Sequence, residues 1–198
     1  MKRSSGIKIV IIGIVLAAIV LGYFYYLGNR DRQQTEEAVA ATVVQSVLMR
    51  DLEYNYPPTP KEVVKYYSEI TECFYNEEYS DEELTQLANK IQYLYDAELV
   101  ANKTQEQYMQ DLRNEIADMK KNKYTIASYE VSASTDVEYF TQNGDSCARL
   151  YCTYYLRQPS SGTRVSSLER FVLRQDQDSH WKILGWELGG GIGNERKR

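Results

Sequence analysis

Glu169 is the residue of this sequence best suited to chemistry. It lies in a strand-like run in which alternate side chains share one face, so it is in register with Ser167 and Phe171. That face is the more apolar one, and we expect it to face the predicted helices. A carboxyl group placed there loses water, which raises its pKa and suits it to general acid–base chemistry. If a Lys or Arg from a helix pairs with it instead, the pKa falls and the residue is structural.

The pocket-lining candidates beside Glu169 are Tyr67 on a helix, Tyr154 on the preceding strand, and Ser167 and Phe171 on the same strand. His180, the single histidine, comes just before Trp181 at the start of a strand, and we interpret it as a solvent-facing turn residue. The sequence contains no nucleophile–base pair, phosphate-binding loop or metal-ligand spacing. We therefore predict no metal and no cofactor, with Glu169 as the single catalytic candidate.

Three amphipathic helices are predicted to position these residues. Thr59 can cap the first, with Pro60 at its first position, and a capping box opens the second at Ser80. The third begins near Thr104. Apolar side chains recur every three or four residues along each of them, as in helices with one buried face.

Beyond Tyr124 the period of the sequence changes from 3.6 to 2, which predicts strands. One strand covers residues 129–139, and Asn143-Gly144 supplies a hairpin turn into the next. Two further strands contain Glu169 and Trp181. We predict an α+β fold with an N-terminal transmembrane helix and a stalk helix, followed by three helices packed on a curved four-stranded antiparallel sheet.

The segment Ile7–Leu27 predicts the transmembrane helix. It is apolar from Ile9 onward without a charge, and its length of about 30 Å matches a bilayer core. Basic residues precede it, which favours a cytoplasmic N-terminus. The alternative is a cleaved signal peptide, although the apolar run is long for one and no clear cleavage site follows.

The chain is predicted to have five parts. These are a cytoplasmic N-terminus (1–6), the transmembrane helix (7–27), a juxtamembrane stalk helix with a Pro linker (28–58), an extracytoplasmic domain (59–188) and a flexible tail (189–198). In the stalk, Val39, Val43 and Val47 recur at a spacing of four. Pro57 and Pro58 end that helix.

Charge and cysteine content exclude several classes of function. The chain has 23 basic and 28 acidic side chains, and three basic ones precede Asn29, so the remainder carries a net charge of −8. Such an acidic domain is a poor partner for nucleic acid. Its three cysteines do not make a disulfide framework, and Cys73–Cys152 is the one plausible bridge.

The last two predicted strands resemble a known superfamily. Glu169–Leu173, a short polar turn and His180–Leu184 are similar to the final hairpin of the NTF2-like (cystatin-like) superfamily. This resemblance implies a sheet that folds around helices and leaves a pocket, a fold shared by enzymes, binding modules and scaffolds. With the anchor, the arrangement resembles the extracytoplasmic domains of single-pass envelope proteins. The stretch Tyr54–Val64 also resembles an uncharacterised family of anchored clostridial membrane proteins.

The function expected from these features is a non-catalytic extracytoplasmic module on a single-pass membrane anchor, Ile7–Leu27. It would bind a small ligand or an envelope protein at the cell membrane, and we expect no nucleic acid partner. One alternative is a pocket enzyme of the isomerase or dehydratase type that uses Glu169. Another is a structural spacer. The sequence does not indicate an oligomeric state.

Overall fold

The computed structural model describes residues 42–158 and 163–189. The predicted cytoplasmic N-terminus 1–6, the predicted transmembrane helix Ile7–Leu27 and all but the first residue of the predicted tail 189–198 lie outside these residues. Within the two described ranges, no helix combines the length and the apolar character needed to span a bilayer.

The described part contains five helices: α1 (Val43–Leu48), α2 (Pro60–Asn76), α3 (Asp81–Tyr93), α4 (Ala97–Ala101) and α5 (Gln105–Lys121). The three predicted helix starts are confirmed. The side chain of Thr59 accepts a hydrogen bond from the backbone N–H of Glu62. Ser80 and Glu83 form a reciprocal capping box at α3, and Thr104 caps α5 in the same way. Each cap satisfies backbone groups that the first helical turn leaves without partners.

Five strands form one antiparallel sheet: β1 (Thr125–Val131), β2 (Glu138–Gln142), β3 (Asp145–Gln158), β4 (Thr163–Gln175) and β5 (Trp181–Leu188). The strand order is β1–β3–β4–β5, and β2 also pairs with β3. β1 pairs with residues 152–157 of β3, whereas β2 pairs with residues 145–149. β1 and β2 therefore follow each other along one edge of the long strand β3.

The predicted fold class is wrong in its numbers of strands and helices. Residues 129–139, predicted as one strand, are interrupted by a 3₁₀ turn at Ser134–Asp136. In this turn the backbone N–H of Asp136 donates to the carbonyl of Ala133 at 2.9 Å. Apolar and polar residues go on alternating through the turn, so the period of the sequence could not locate the break. The sheet accordingly has five strands rather than four.

The predicted stalk helix is also wrong for the residues that the structure describes. Helix α1 packs into the domain core, where Val44 and Val47 are 1% and 8% exposed. The hydroxyl of Tyr66 in α2 donates to the carbonyl of Val47 at 2.8 Å. Residues 43–48 therefore belong to the folded domain and not to a separate stalk.

The core lies between the helices and one face of the sheet. Its fully buried apolar residues include Val63, Val64 and Ile70 from α2 and Leu150, Phe171, Leu173 and Ile183 from the sheet. The alternation of inward and outward side chains along β4 places Glu169 on the same face as Phe171. The three cysteines are buried and free, so the Cys73–Cys152 bridge is not formed.

The unpredicted helix α4 is attached to the sheet at its first residues. Asp96 caps α4, and its backbone N–H donates to the carbonyl of Ile183 in β5 at 2.8 Å. The N–H of Ile183 donates in turn to the carbonyl of Leu94 at 2.8 Å. The buried carboxylate of Asp96 also accepts from the Arg174 guanidinium of β4, at 2.6 and 3.0 Å. These bonds fix α4 beside the cavity described next.

Candidate functional site

A cavity of about 480 Å³ lies between the helices and the inner face of the sheet. Helices α2 and α5 supply most of the helical wall, with the end of α3 and the region of α4. Strands β1, β3, β4 and β5 each contribute to the opposite wall. The volume falls in the range that ligand pockets occupy, roughly 300 to 1,000 Å³.

Aromatic side chains form much of the cavity wall. The tyrosine and tryptophan residues among its lining are Tyr67, Tyr75, Tyr95, Tyr108, Tyr154 and Trp186. The ring centroid of Tyr67 lies 5.5 Å from that of Trp186 and 6.3 Å from that of Tyr95. Tyr95 and Trp186 are 5.7 Å apart. These three rings therefore form one contiguous aromatic surface.

Glu169 faces this cavity from strand β4. Its backbone is held in the middle of the sheet, opposite Cys152 of β3 and Leu188 of β5. Among the described residues, no ion pair or hydrogen bond engages its carboxyl group. The loss of water around this group, together with the negative charge of Glu115, raises the pKa of Glu169 to about 7. The carboxyl group therefore changes its charge close to neutral pH.

The second acidic group of the cavity is Glu115 on α5. The hydroxyl of Tyr75 in α2 donates a hydrogen bond to its carboxylate. Tyr108 and Glu115 are seven residues apart, so two helical turns bring both onto the cavity side of α5. Burial and the charge of Glu115 raise the pKa of Tyr75 far above its usual value. Tyr75 therefore stays protonated and remains the donor.

The hydroxyl of Tyr154 is hydrogen-bonded within the protein. Its oxygen lies 2.7 Å from the hydroxyl oxygen of Ser68, and Ser68 donates to the carbonyl of Val64 at 2.9 Å. Because Ser68 has one hydroxyl hydrogen, Tyr154 is the donor to Ser68. The same Ser68 oxygen lies 3.6 Å from the sulfur of Cys152. This buried network holds Tyr154 against the cavity wall.

The cavity opens to solvent beside α5. Asn102, Lys103 and Asp111 belong to its lining and are exposed. The ammonium nitrogen of Lys103 lies 2.5 Å from a carboxylate oxygen of Asp111. Lys103 is the one cation among the described residues that line the cavity, and this ion pair offsets its charge.

Four of the five residues selected from the sequence line the cavity, namely Tyr67, Tyr154, Ser167 and Glu169. Phe171 does not. It is fully buried behind the wall, and its ring packs edge-on against Tyr67 at 5.2 Å. Sequence analysis did not select Glu115, Tyr75, Tyr95 or Trp186. These residues meet at the cavity because separate elements pack together, which the sequence does not show. The one local signal is the spacing of seven residues between Tyr108 and Glu115, which places both on the same side of α5.

His180 lies in the turn before β5 and not among the cavity residues. Asp176, Asp178 and His180 could each offer one ligand atom within 4.8 Å of the others, and no other such group occurs in the described ranges. The Asp176 carboxylate, however, already accepts backbone N–H bonds from Asp178 and His180. It also lies 4.0 Å from the ammonium of Lys182. These contacts account for the cluster without a metal ion.

A family model described as a domain of unknown function, DUF6715, matches residues 1–186, so the chain belongs to that family. No curated protein matches the chain. The resemblance to the NTF2-like superfamily stays a prediction.

Proposed function

We propose that this chain is a non-catalytic module that binds a small molecule in the cavity around Glu169. One observation carries the proposal: an open, aromatic cavity of about 480 Å³ holds a carboxyl group that has no partner among the described residues. Concave apolar sites with a few polar groups are the usual form of a ligand pocket. Anchoring through Ile7–Leu27 and a partner at the cell envelope stay predictions from the sequence.

Such a cavity is costly for a protein that only holds two regions apart. Burial around Glu169 disfavours its ionised form, and empty space in the interior forfeits packing. A spacer gains nothing from either cost. A ligand would supply both the missing contacts and a partner for Glu169, so the binding function is better supported than the spacer function.

A pocket enzyme of the isomerase or dehydratase type is the second candidate. The pKa of Glu169, about 7, favours it because a general base works best when its pKa is near the working pH. The hydroxyls of Tyr75 and Tyr154 are donors to Glu115 and Ser68, so neither is free to protonate a substrate. Tyr67 also lines the cavity near Glu169, but burial raises the pKa of its hydroxyl well above the usual value, which makes it a poor proton donor. For this reason we favour binding without turnover. If the protein converts a bound ligand to a product and Glu169→Gln abolishes that conversion, the enzyme function is established instead.

Trp186 provides a local signal for the binding test. The sequence has two tryptophans, and only Trp186 lines the cavity. In purified full-length Trp181→Phe protein, Trp186 is the sole tryptophan. We expect amphipathic small molecules that raise the melting temperature also to change the fluorescence of Trp186.

Ser167→Leu and Ser166→Leu form a matched pair for this test. Ser167 lines the cavity, whereas Ser166 is its neighbour on the opposite face of β4. We expect Ser167→Leu to weaken binding about tenfold or more and Ser166→Leu to leave it unchanged, with circular dichroism confirming that both fold. The proposal is wrong if no compound binds, or if both variants bind as the parent does.

A further inference from the structure

The charged groups that line the cavity are mainly acidic. Glu169, Glu115 and Asp111 provide three carboxyl groups, and Lys103 is the one cation among the described lining residues. Lys103 is paired with Asp111 at 2.5 Å. Glu115 and Glu169 have no cationic partner in the described ranges. An anionic ligand group would therefore meet uncompensated negative charge, whereas a cation would be attracted by both carboxylates.

The aromatic surface formed by Tyr67, Tyr95 and Trp186 also favours a cationic ligand. Tyr67, Tyr95 and Trp186 lie within 6.3 Å of one another on the cavity wall. The faces of such rings carry partial negative charge and attract ammonium groups, most strongly where water is excluded. Tyr67 also lies close enough to Glu169 to be affected by its charge. A cation near Glu169 would consequently be near these rings as well.

We infer that the ligand of this cavity carries an organic ammonium group on an apolar body, with the ammonium held by Glu169 and Glu115 and the body against the aromatic wall. This inference rests on the proposed function. The cavity lining also includes apolar residues, such as Phe74, Leu112 and Ile126, which would contact the apolar body of the ligand. The ammonium supplies the counter-charge that the protein does not provide.

Binding of a cation should depend on pH through Glu169. Burial and the charge of Glu115 from α5 raise the pKa of Glu169. Beyond burial, the charge of Glu169 in turn raises the pKa values of Tyr67 and Tyr75 from α2 and of Cys152 and Tyr154 from β3. Burial raises the pKa values of those tyrosines and of Cys152, so these groups stay neutral near pH 7. A bound cation favours ionised Glu169 and lowers its pKa. Binding at neutral pH should therefore release a proton.

Three probes of one shape and different charge test the inference on the full-length protein: 4-phenylbutylammonium, 4-phenylbutanol and 4-phenylbutanoate. We expect the ammonium to bind about tenfold or more tightly than the alcohol at about pH 8, the size expected for a hydrogen bond to a charged group. The carboxylate should bind most weakly. Between about pH 8 and pH 6 the preference for the ammonium should shrink as Glu169 becomes protonated.

Glu169→Gln and Glu130→Gln separate the cavity charge from the overall charge. Glu130 is exposed on β1 and does not line the cavity. We expect Glu169→Gln to remove most of the preference for the ammonium over 4-phenylbutanol, and Glu130→Gln to retain that preference. Calorimetry in two buffers of different ionisation enthalpy should detect proton release by the parent protein and none by Glu169→Gln.

The possible results distinguish the inference from the proposed function. If the alcohol binds as tightly as the ammonium, or the carboxylate binds best, the inference is wrong while the cavity remains a ligand site. If none of the three probes binds while other amphipathic compounds bind in the Trp186 test, the inference is wrong and the proposed function stands. If no compound binds in either test, both fail. Equal loss of the ammonium preference in the Glu169 and Glu130 variants would also overturn the inference, because a general charge effect would then explain it.

Discussion

Replacing Glu169 by Gln should stabilise the protein above neutral pH. Burial and the charge of Glu115 raise the pKa of Glu169 from 4.5 to about 7 in the folded protein. An acid whose pKa is raised by folding favours the folded state only in its protonated form, so its ionisation destabilises the fold. The destabilisation is absent well below pH 4.5, grows as the pH rises toward 7 and is complete above that value.

The size of this effect follows from the two pKa values of Glu169. Each pKa unit corresponds to 1.36 kcal/mol, so the full destabilisation is about 3 kcal/mol. Of this, about 2 to 3 kcal/mol develops between roughly pH 5 and pH 8. Glutamine has nearly the same shape and no charge. The free energy of unfolding of Glu169→Gln should therefore exceed that of the parent protein at pH 8 and approach it at pH 5.

Urea denaturation of the full-length protein across this pH range measures the effect. Other groups also titrate in this range, such as Glu72, whose pKa is raised by burial. They affect the unfolding free energy of parent and variant equally, so their contribution cancels in the difference between the two proteins. Glu130→Gln serves as the control, and its difference from the parent should not vary with pH. A Glu169→Gln difference that is the same at pH 5 and pH 8 would refute the reasoning, because Glu169 would then be in water or paired.

Three other experiments test the scaffold around the cavity. Thr59→Ala removes the cap of α2 and should cost about 1 kcal/mol in urea denaturation, whereas Thr59→Ser should cost much less; equal stability of all three proteins would exclude the cap. Arg174→Met leaves the buried carboxylate of Asp96 without its cationic partner and should cost about 3 kcal/mol or more. Adding Asp96→Asn to this variant should partly restore the stability. The three thiols should react with an alkylating agent only after unfolding, with or without prior reduction; a mass spectrum that shows a bridge would contradict this.

Local signals explain which parts of the fold could be predicted from the sequence. Thr59 and Ser80 start helices because their side chains satisfy backbone groups within three residues, and such short-range bonds are visible in the sequence. The inward direction of Glu169 follows from strand alternation alone. The break at Ser134–Asp136 is different. It depends on how β1 and β2 share the edge of β3, a long-range pairing that leaves the local pattern unchanged.

The cavity could be predicted only on its sheet side. Tyr154, Ser167 and Glu169 are brought together by the register of β3 and β4, which alternation specifies. Glu115 and Tyr95 come from elements whose packing angles and connections the sequence does not specify. Glu115 in particular is an exposed helical residue with an ordinary polar neighbourhood in sequence. Its role becomes visible only when α5 is placed against α2, where Tyr75 donates to it.

The attachment of residues 94–96 to Ile183 has a consequence for association between molecules. β5 is an outer strand, and an outer strand offers unpaired peptide groups onto which another chain can add. Near the start of β5, both peptide groups of Ile183 are already bonded to Leu94 and Asp96. A strand from a second molecule therefore cannot pair along the whole length of β5. This side of the sheet is protected against edge-to-edge growth into aggregates, even though Trp186 and Leu188 near its end remain exposed.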